Sequence, residues 1–172
     1  FGKVYFPRVI VPLSKVIAGL VKFGIQILIL IVFYFYFILK GTYISPNSNI
    51  VLFPVYVLLM ALMGLGFGMI ISAMTTKYRD LTVLIGFATS LLVYISAVPY
   101  PLSQVKEKMP DIAWVVQLNP LTQIIEGFRY MILDEGIFDL ASFIYTVVIS
   151  VFIFLIGLIV FNRTEKNFID TV

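Results

Sequence analysis

Neither cysteine nor histidine occurs in the 172 residues. Their absence rules out disulfides and leaves zinc, haem and iron–sulfur centres without their usual ligands. It also denies any serine or threonine nucleophile an imidazole base, and no serine–lysine pattern takes its place. Charge is scarce too: 12% of the residues carry it, where a soluble domain carries roughly 25%. There is no phosphate-binding loop, because the only Gly-Lys pair, Gly2-Lys3, is followed by Val rather than by Ser or Thr. The net charge of +3 is not gathered into a basic face interleaved with polar residues, which argues against a nucleic-acid partner. The chain therefore reads as a non-enzyme without a cofactor of its own, and any ATP it depends on is bound by another chain.

What remains is apolar. Hydrophobic residues make up 61% of the chain, and they fall in long charge-free runs. A helix needs about 20 mostly apolar residues to cross a hydrocarbon layer of about 30 Å. Four segments qualify: 23–39, 51–74, 81–98 and 140–161. Backbone groups find no water in lipid, so these segments should be helices, even through the strand-like run Phe33–Phe37. The expectation is an all-α, multi-pass transmembrane helical bundle.

The loops set an orientation. Lys3, Arg8, Lys15, Lys22, Lys77, Arg79, Arg163 and Lys166 fall on one side with three acids; the other side has four basic residues and six acids. The positive-inside tendency then places both ends of the chain in the cytoplasm, with residues 1–22 as a cytoplasmic leading segment and 162–172 as a cytoplasmic tail.

Within the second span, Gly64, Gly68 and Ser72 recur every four residues and make one small-residue face. Tight packing inside one bundle and a subunit interface both fit that stripe. Phe87, Ser90 and Tyr94 share a face of the third span; lipid exposure, core packing and the lining of a path all remain open for them. Pro7 should end any preceding helix, and Pro12 suits a first helical turn. From there Lys15, Gly19, Lys22 and Gln26 line one helix face, suited either to snorkelling toward headgroups or to facing a water-filled vestibule. The short loop Thr75–Leu81 offers Asp80 as a cap for the third span. Capping does not explain Tyr78 and Arg79, and a short loop that carries an aromatic and a cation could also dock into a cleft of a cytoplasmic partner.

Residues 100–135 are the most unusual. Pro99 and Pro101 should break the third helix. The charge-free stretch Ile112–Ile125 is too short to span. Asn119-Pro120 reads as an N-cap followed by proline at the first helical position. The next helix presents Leu121, Ile124, Ile125, Phe128 and Ile132 on one face, and Glu126 and Arg129 are spaced to pair. Helices that dip in from outside and turn back would explain this pattern, as would an amphipathic helix lying on the outer surface.

These segments, taken in order, resemble the type-2 ABC transporter permeases, and among them the exporters of O-antigen and related lipid-linked polysaccharides. The resemblance rests on Val4–Ser14, the loop Ser72–Asp80, Ser96–Pro101, the LNPLT and EGFRY stretch within Trp114–Tyr130, and the closing FNRTEKNFIDTV. It covers nearly the whole chain. It implies six spans per subunit, of which two and an interfacial helix would precede Phe1. It also implies a permease homodimer in the bacterial cytoplasmic membrane, working with two ATP-binding subunits that hold ATP and magnesium. Pro7, Arg8, Lys77, Tyr78, Arg79 and Asp80 would then fall in parts that meet the ATPase, and Asn119, Pro120, Glu126 and Arg129 in external re-entrant helices. Lys15 and Lys22 would draw the pyrophosphate of a lipid carrier, although many relatives carry Asp where this chain has Lys22. Phe87, Tyr94 and Tyr100 would offer flat faces to sugar rings. Two rivals are a type-2 permease for a drug or another lipid, and a membrane scaffold that transports nothing.

Overall fold

The computed structural model describes residues 9–41, 46–78, 80–136 and 138–169, including all their side chains except those of 76, 77 and 165–169. Among them there are seven α-helices and no strand. Helix α1 is Ile10–Leu39, and a 3-10 turn at Ser48–Leu52 leads into α2, Phe53–Lys77. Helix α3 is Leu81–Ile95, and three shorter helices follow: α4 (Leu102–Lys108), α5 (Pro110–Leu118) and α6 (Pro120–Leu133). Helix α7, Leu140–Ile169, closes the chain.

Three of these helical stretches are long and apolar enough to cross a membrane: Ile10–Leu39, Ser48–Thr75 and Leu140–Thr164. The expected third span is shorter than its sequence suggests. With 15 residues, α3 reaches about 22 Å at 1.5 Å per residue. It stops at Ile95 because Ala97 takes a left-handed conformation (φ 54°) and Pro99 and Pro101 follow. At the other end of the chain, α1 begins at Ile10, with Pro12 in its first turn, so Lys15 and Lys22 lie on the same continuous helix as the first span. Helix α7 likewise runs past Phe161 to Ile169, into the expected tail.

Helices α2 and α7 form the spine. They run parallel: the rings of Tyr56 and Phe143 meet near their starts, and Gly66 lies against Ile153 and Gly157 further along. A Cβ on Gly66 would lie 2.8 Å from the backbone of Ile153, so only glycine permits this approach. Apolar helices gain little by hiding from lipid, and close backbone packing of this kind is what holds them together.

Helix α6 wedges against the first turns of both. Ile124 and Met131 of α6 share a buried cluster with Tyr56, Leu59 and Met63 of α2, flanked by Phe128, Phe143 and Val147. Gly127 lets the Tyr56 ring sit directly on the α6 backbone. The expected apolar face is therefore partly right: Ile124, Leu121 and Phe128 pack inward, and Thr122 and Met131 are buried with them.

Candidate functional site

Helix α6 is pinned at both ends by side chains that the local sequence puts in position. At its start, the Asn119 side-chain oxygen Oδ1 accepts from the Leu121 amide at 3.0 Å, with Pro120 in the first turn. The nitrogen of the Asn119 side chain, Nδ2, donates to Ser96 Oγ at 3.0 Å, just beyond the end of α3. At the far end, Asp134 adopts a left-handed conformation that closes α6, and its carboxylate accepts from Asn47 Nδ2 at 2.6 Å. The Asn47 amide in turn donates to the Met131 carbonyl at 3.1 Å.

Between these pins lies the ion pair of Glu126 and Arg129. It is a junction as well as a pair. Arg129 Nη2 also donates to the carbonyls of Ala97 and Val98, at 3.4 and 3.5 Å, where α3 has run out of helical partners. Glu126 Oε1 also accepts from the Leu102 amide, at 3.0 Å, at the start of α4. A cation thus meets a helix C-terminus and a carboxylate meets a helix N-terminus, the favourable sense of both helix dipoles. Pairing is what makes such charges tolerable beside apolar helices. The left-handed turn at Ala97, the stop of α3 and the start of α4 are held together by two side chains three residues apart.

The turn between α5 and α6 lies alongside α7. Tyr145 Oη donates to the Leu118 carbonyl at 2.6 Å, about one and a half turns into α7. The structure therefore brings Asn119, Pro120, Glu126 and Arg129 together in a helical hairpin packed beside the starting turns of α2 and α7.

Other expected residues are spread along the helices. Lys15 and Lys22 are exposed with Gly19 and Gln26 along α1. Phe87 and Tyr94 are 65% and 62% exposed, and α3 buries none of its side chains. Tyr100 is half-buried and its hydroxyl donates to the Tyr94 carbonyl, which joins these two residues but leaves Phe87 apart. Tyr78 is exposed at the end of α2. Asp80 occupies the N-cap position of α3 with no side-chain cap bond, contrary to expectation, because its backbone is already helical (φ −64°, ψ −21°). Pro7, Arg8 and Arg79, and the side chain of Lys77, lie outside the described residues. A Cβ on Gly64 or Gly68 would meet open space, so the close approach within the chain belongs to Gly66 and Gly157 instead.

Sequence reasoning missed two features. One is the pairing of Gly66 with Gly157, glycines 91 positions apart that no local pattern connects. The other is the start of α7, where the Asp139 carboxylate accepts from the Ser142 hydroxyl at 2.7 Å and from the Ser142 and Ala141 amides at 3.1 and 3.2 Å. These bonds hold the Asp139 carboxyl below the usual aspartate range, the Ser142 hydroxyl contributing most. The spacing of Asp139 and Ser142 before an apolar run was a legible capping signal.

Three described helices long and apolar enough to cross a membrane, with a polar-pinned helical hairpin beside them, mark the chain as a membrane protein. Residues 4–133 match the ABC-2 type transporter family, and the chain belongs to it. Among curated proteins it is 23% identical, over 99% of its length, to the O-antigen export system permease protein RfbA of Myxococcus xanthus, covering 63% of that protein. It is 24% identical to two Klebsiella pneumoniae proteins of the same name, over 98% of its length and 62% of theirs. The chain thus spans less than two thirds of the length of these relatives. No solved structure matches it significantly.

Proposed function

We propose that this chain is the permease subunit of an ATP-driven exporter that moves a lipid-linked polysaccharide, O-antigen or a similar polymer, across the cytoplasmic membrane of a bacterium. The observation that carries the reading is the match to three O-antigen export permeases across 98–99% of the chain. Two copies enclose the path, and two ATP-binding subunits, which hold ATP and magnesium, drive it from the cytoplasmic side. The ATP-binding subunits dock at Pro7, Arg8 and the Lys77–Asp80 loop, both chain ends are cytoplasmic, and the α5–α6 hairpin is re-entrant from the outer face. The exposed basic face of α1, with Lys15 and Lys22, supports a docking place for the anionic head of a lipid carrier. The exposed rings of Phe87 and Tyr94, with Tyr100 beside them, support sugar contacts along the route.

The test is reconstitution of the full-length permease with its ATPase in vesicles supplied with a lipid-linked glycan. ATP-dependent protection of the glycan from an added glycosidase supports export. ATP hydrolysis that moves a hydrophobic dye and never the glycan would point to a drug or lipid permease, and absence of any associated ATPase to a scaffold.

A further inference from the structure

A cleft of about 430 Å³ opens between the end of α5, the first turn of α6 and the start of α7, inside the usual range of roughly 300–1,000 Å³ for small-molecule sites. Its walls carry Trp114, Gln117, Gln123, Asp139, Ser142 and Tyr145. We propose that this cleft binds a neutral pyranose unit of a glycan, a second sugar contact apart from Phe87, Tyr94 and Tyr100; the proposal rests on the export reading.

The lining selects the ligand class. Among the described residues one carboxylate and no cation lines the cleft, which disfavours phosphate or any other anionic group. An acyl chain would strand two amides and a carboxylate without water. A sugar ring, by contrast, presents an apolar face to an aromatic ring and a rim of hydroxyls that both donate and accept. Trp114 is 63% exposed, so most of its indole is available. Gln123 Nε2 is tied to the Gln117 carbonyl at 2.6 Å, which leaves the Gln123 side-chain oxygen as an acceptor of fixed position. The Tyr145 hydroxyl is fixed by its bond to Leu118 and keeps acceptor capacity. Asp139 uses three of about four lone-pair directions on its own helix start. The Gln117 side chain has no partner among the described residues and can both donate and accept.

An aromatic residue at this level is also what an interfacial anchor looks like, since Trp and Tyr favour the membrane–water boundary. Anchoring accounts for Trp114 and Tyr145. It does not account for two glutamines and a carboxylate gathered in the same cleft, with one amide locked in place by a backbone carbonyl.

Trp114 is the single tryptophan of this sequence and so reports on the cleft. The experiment uses the full-length permease–ATPase complex in nanodiscs, titrated with glucose, galactose, mannose, N-acetylglucosamine and their trisaccharides. Subtracting the signal of the Trp114→Phe complex isolates Trp114 from any other tryptophan. The expected result is a saturable fluorescence change with at least one sugar, half-maximal at roughly millimolar concentration, and weakened about tenfold by Gln117→Leu. An unchanged emission spectrum of the sugar-free Gln117→Leu complex shows that the fold is kept. No saturable response, or one that Gln117→Leu leaves as it was, overturns the cleft. Glycan export measured on the same complexes separates the two claims. Export without any sugar response sinks the cleft alone, while a saturable, Gln117-dependent response in a complex that moves no glycan keeps the cleft and sinks the export reading.

Discussion

Gly66 and Gly157 lie back to back where α2 and α7 cross: a Cβ built on Gly157 would come within 2.9 Å of the Gly66 Cα. Either glycine replaced by alanine must push two membrane helices apart at their tightest point. Gly66→Ala and Gly157→Ala should each cost roughly 1–3 kcal/mol, read as a lower unfolding midpoint in detergent titration. Gly64→Ala and Gly68→Ala, whose Cβ atoms would meet nothing within 4 Å, should stay within about 1 kcal/mol of the parent, on the stabilising side. Equal losses at all four positions would contradict the crossing.

The junction of Glu126 and Arg129 calls for a double-mutant cycle. Removing either partner leaves the other's charge half-buried without its counter-charge. Glu126→Gln and Arg129→Met should each cost about 1–3 kcal/mol. The double variant should cost clearly less than the two combined, because no unpaired charge remains. Additive losses would mean that the pair does not act as a unit.

Asp139 gives a pH signature. Its carboxyl lies below the usual value of 3.8 because it accepts from the Ser142 hydroxyl and from the Ser142 and Ala141 amides. A depressed carboxyl stabilises the folded form fully above its unfolded value and loses that contribution as pH falls through the lower folded one. The melting midpoint of the parent should therefore exceed that of Asp139→Asn by a constant margin at neutral and mildly acidic pH. The margin should shrink once the pH drops below the usual aspartate range. A margin that grew on acidification would reverse the assignment.

Lys15 and Lys22 are both exposed on α1, and the proposed function gives them a head-group role. Lys15→Gln with Lys22→Gln should lower the glycan export rate several-fold while the complex still assembles and hydrolyses ATP. Tyr78→Ala, at the exposed end of α2, should instead uncouple the two, leaving the ATPase active and export lost. Unchanged export in the lysine variant would remove the head-group role.

Much of this arrangement was legible because it is local. Asn119 before Pro120 is a capping signal within two residues, and Glu126 and Arg129 sit one helical turn apart. The long apolar runs of α1, α2 and α7 needed only a count of residues. What escaped depends on distant partners. The four-residue stripe of Gly64, Gly68 and Ser72 is the more regular pattern, yet the contact fell on Gly66 because α7 supplies its glycine at Gly157. The end of α3 was placed too late because hydropathy continues through Ala97 and Val98, while the backbone turns there under the hold of Arg129. Asp80 failed as a side-chain cap for a related reason: its own backbone had already joined the helix.

Helix α3 buries none of its side chains, and what holds its far end is a set of hydrogen bonds from Asn119 and Arg129. A rod fastened that way is located at its tip by polar bonds to the hairpin, while its flank keeps only half-buried apolar contacts such as those of Leu81 and Ile85.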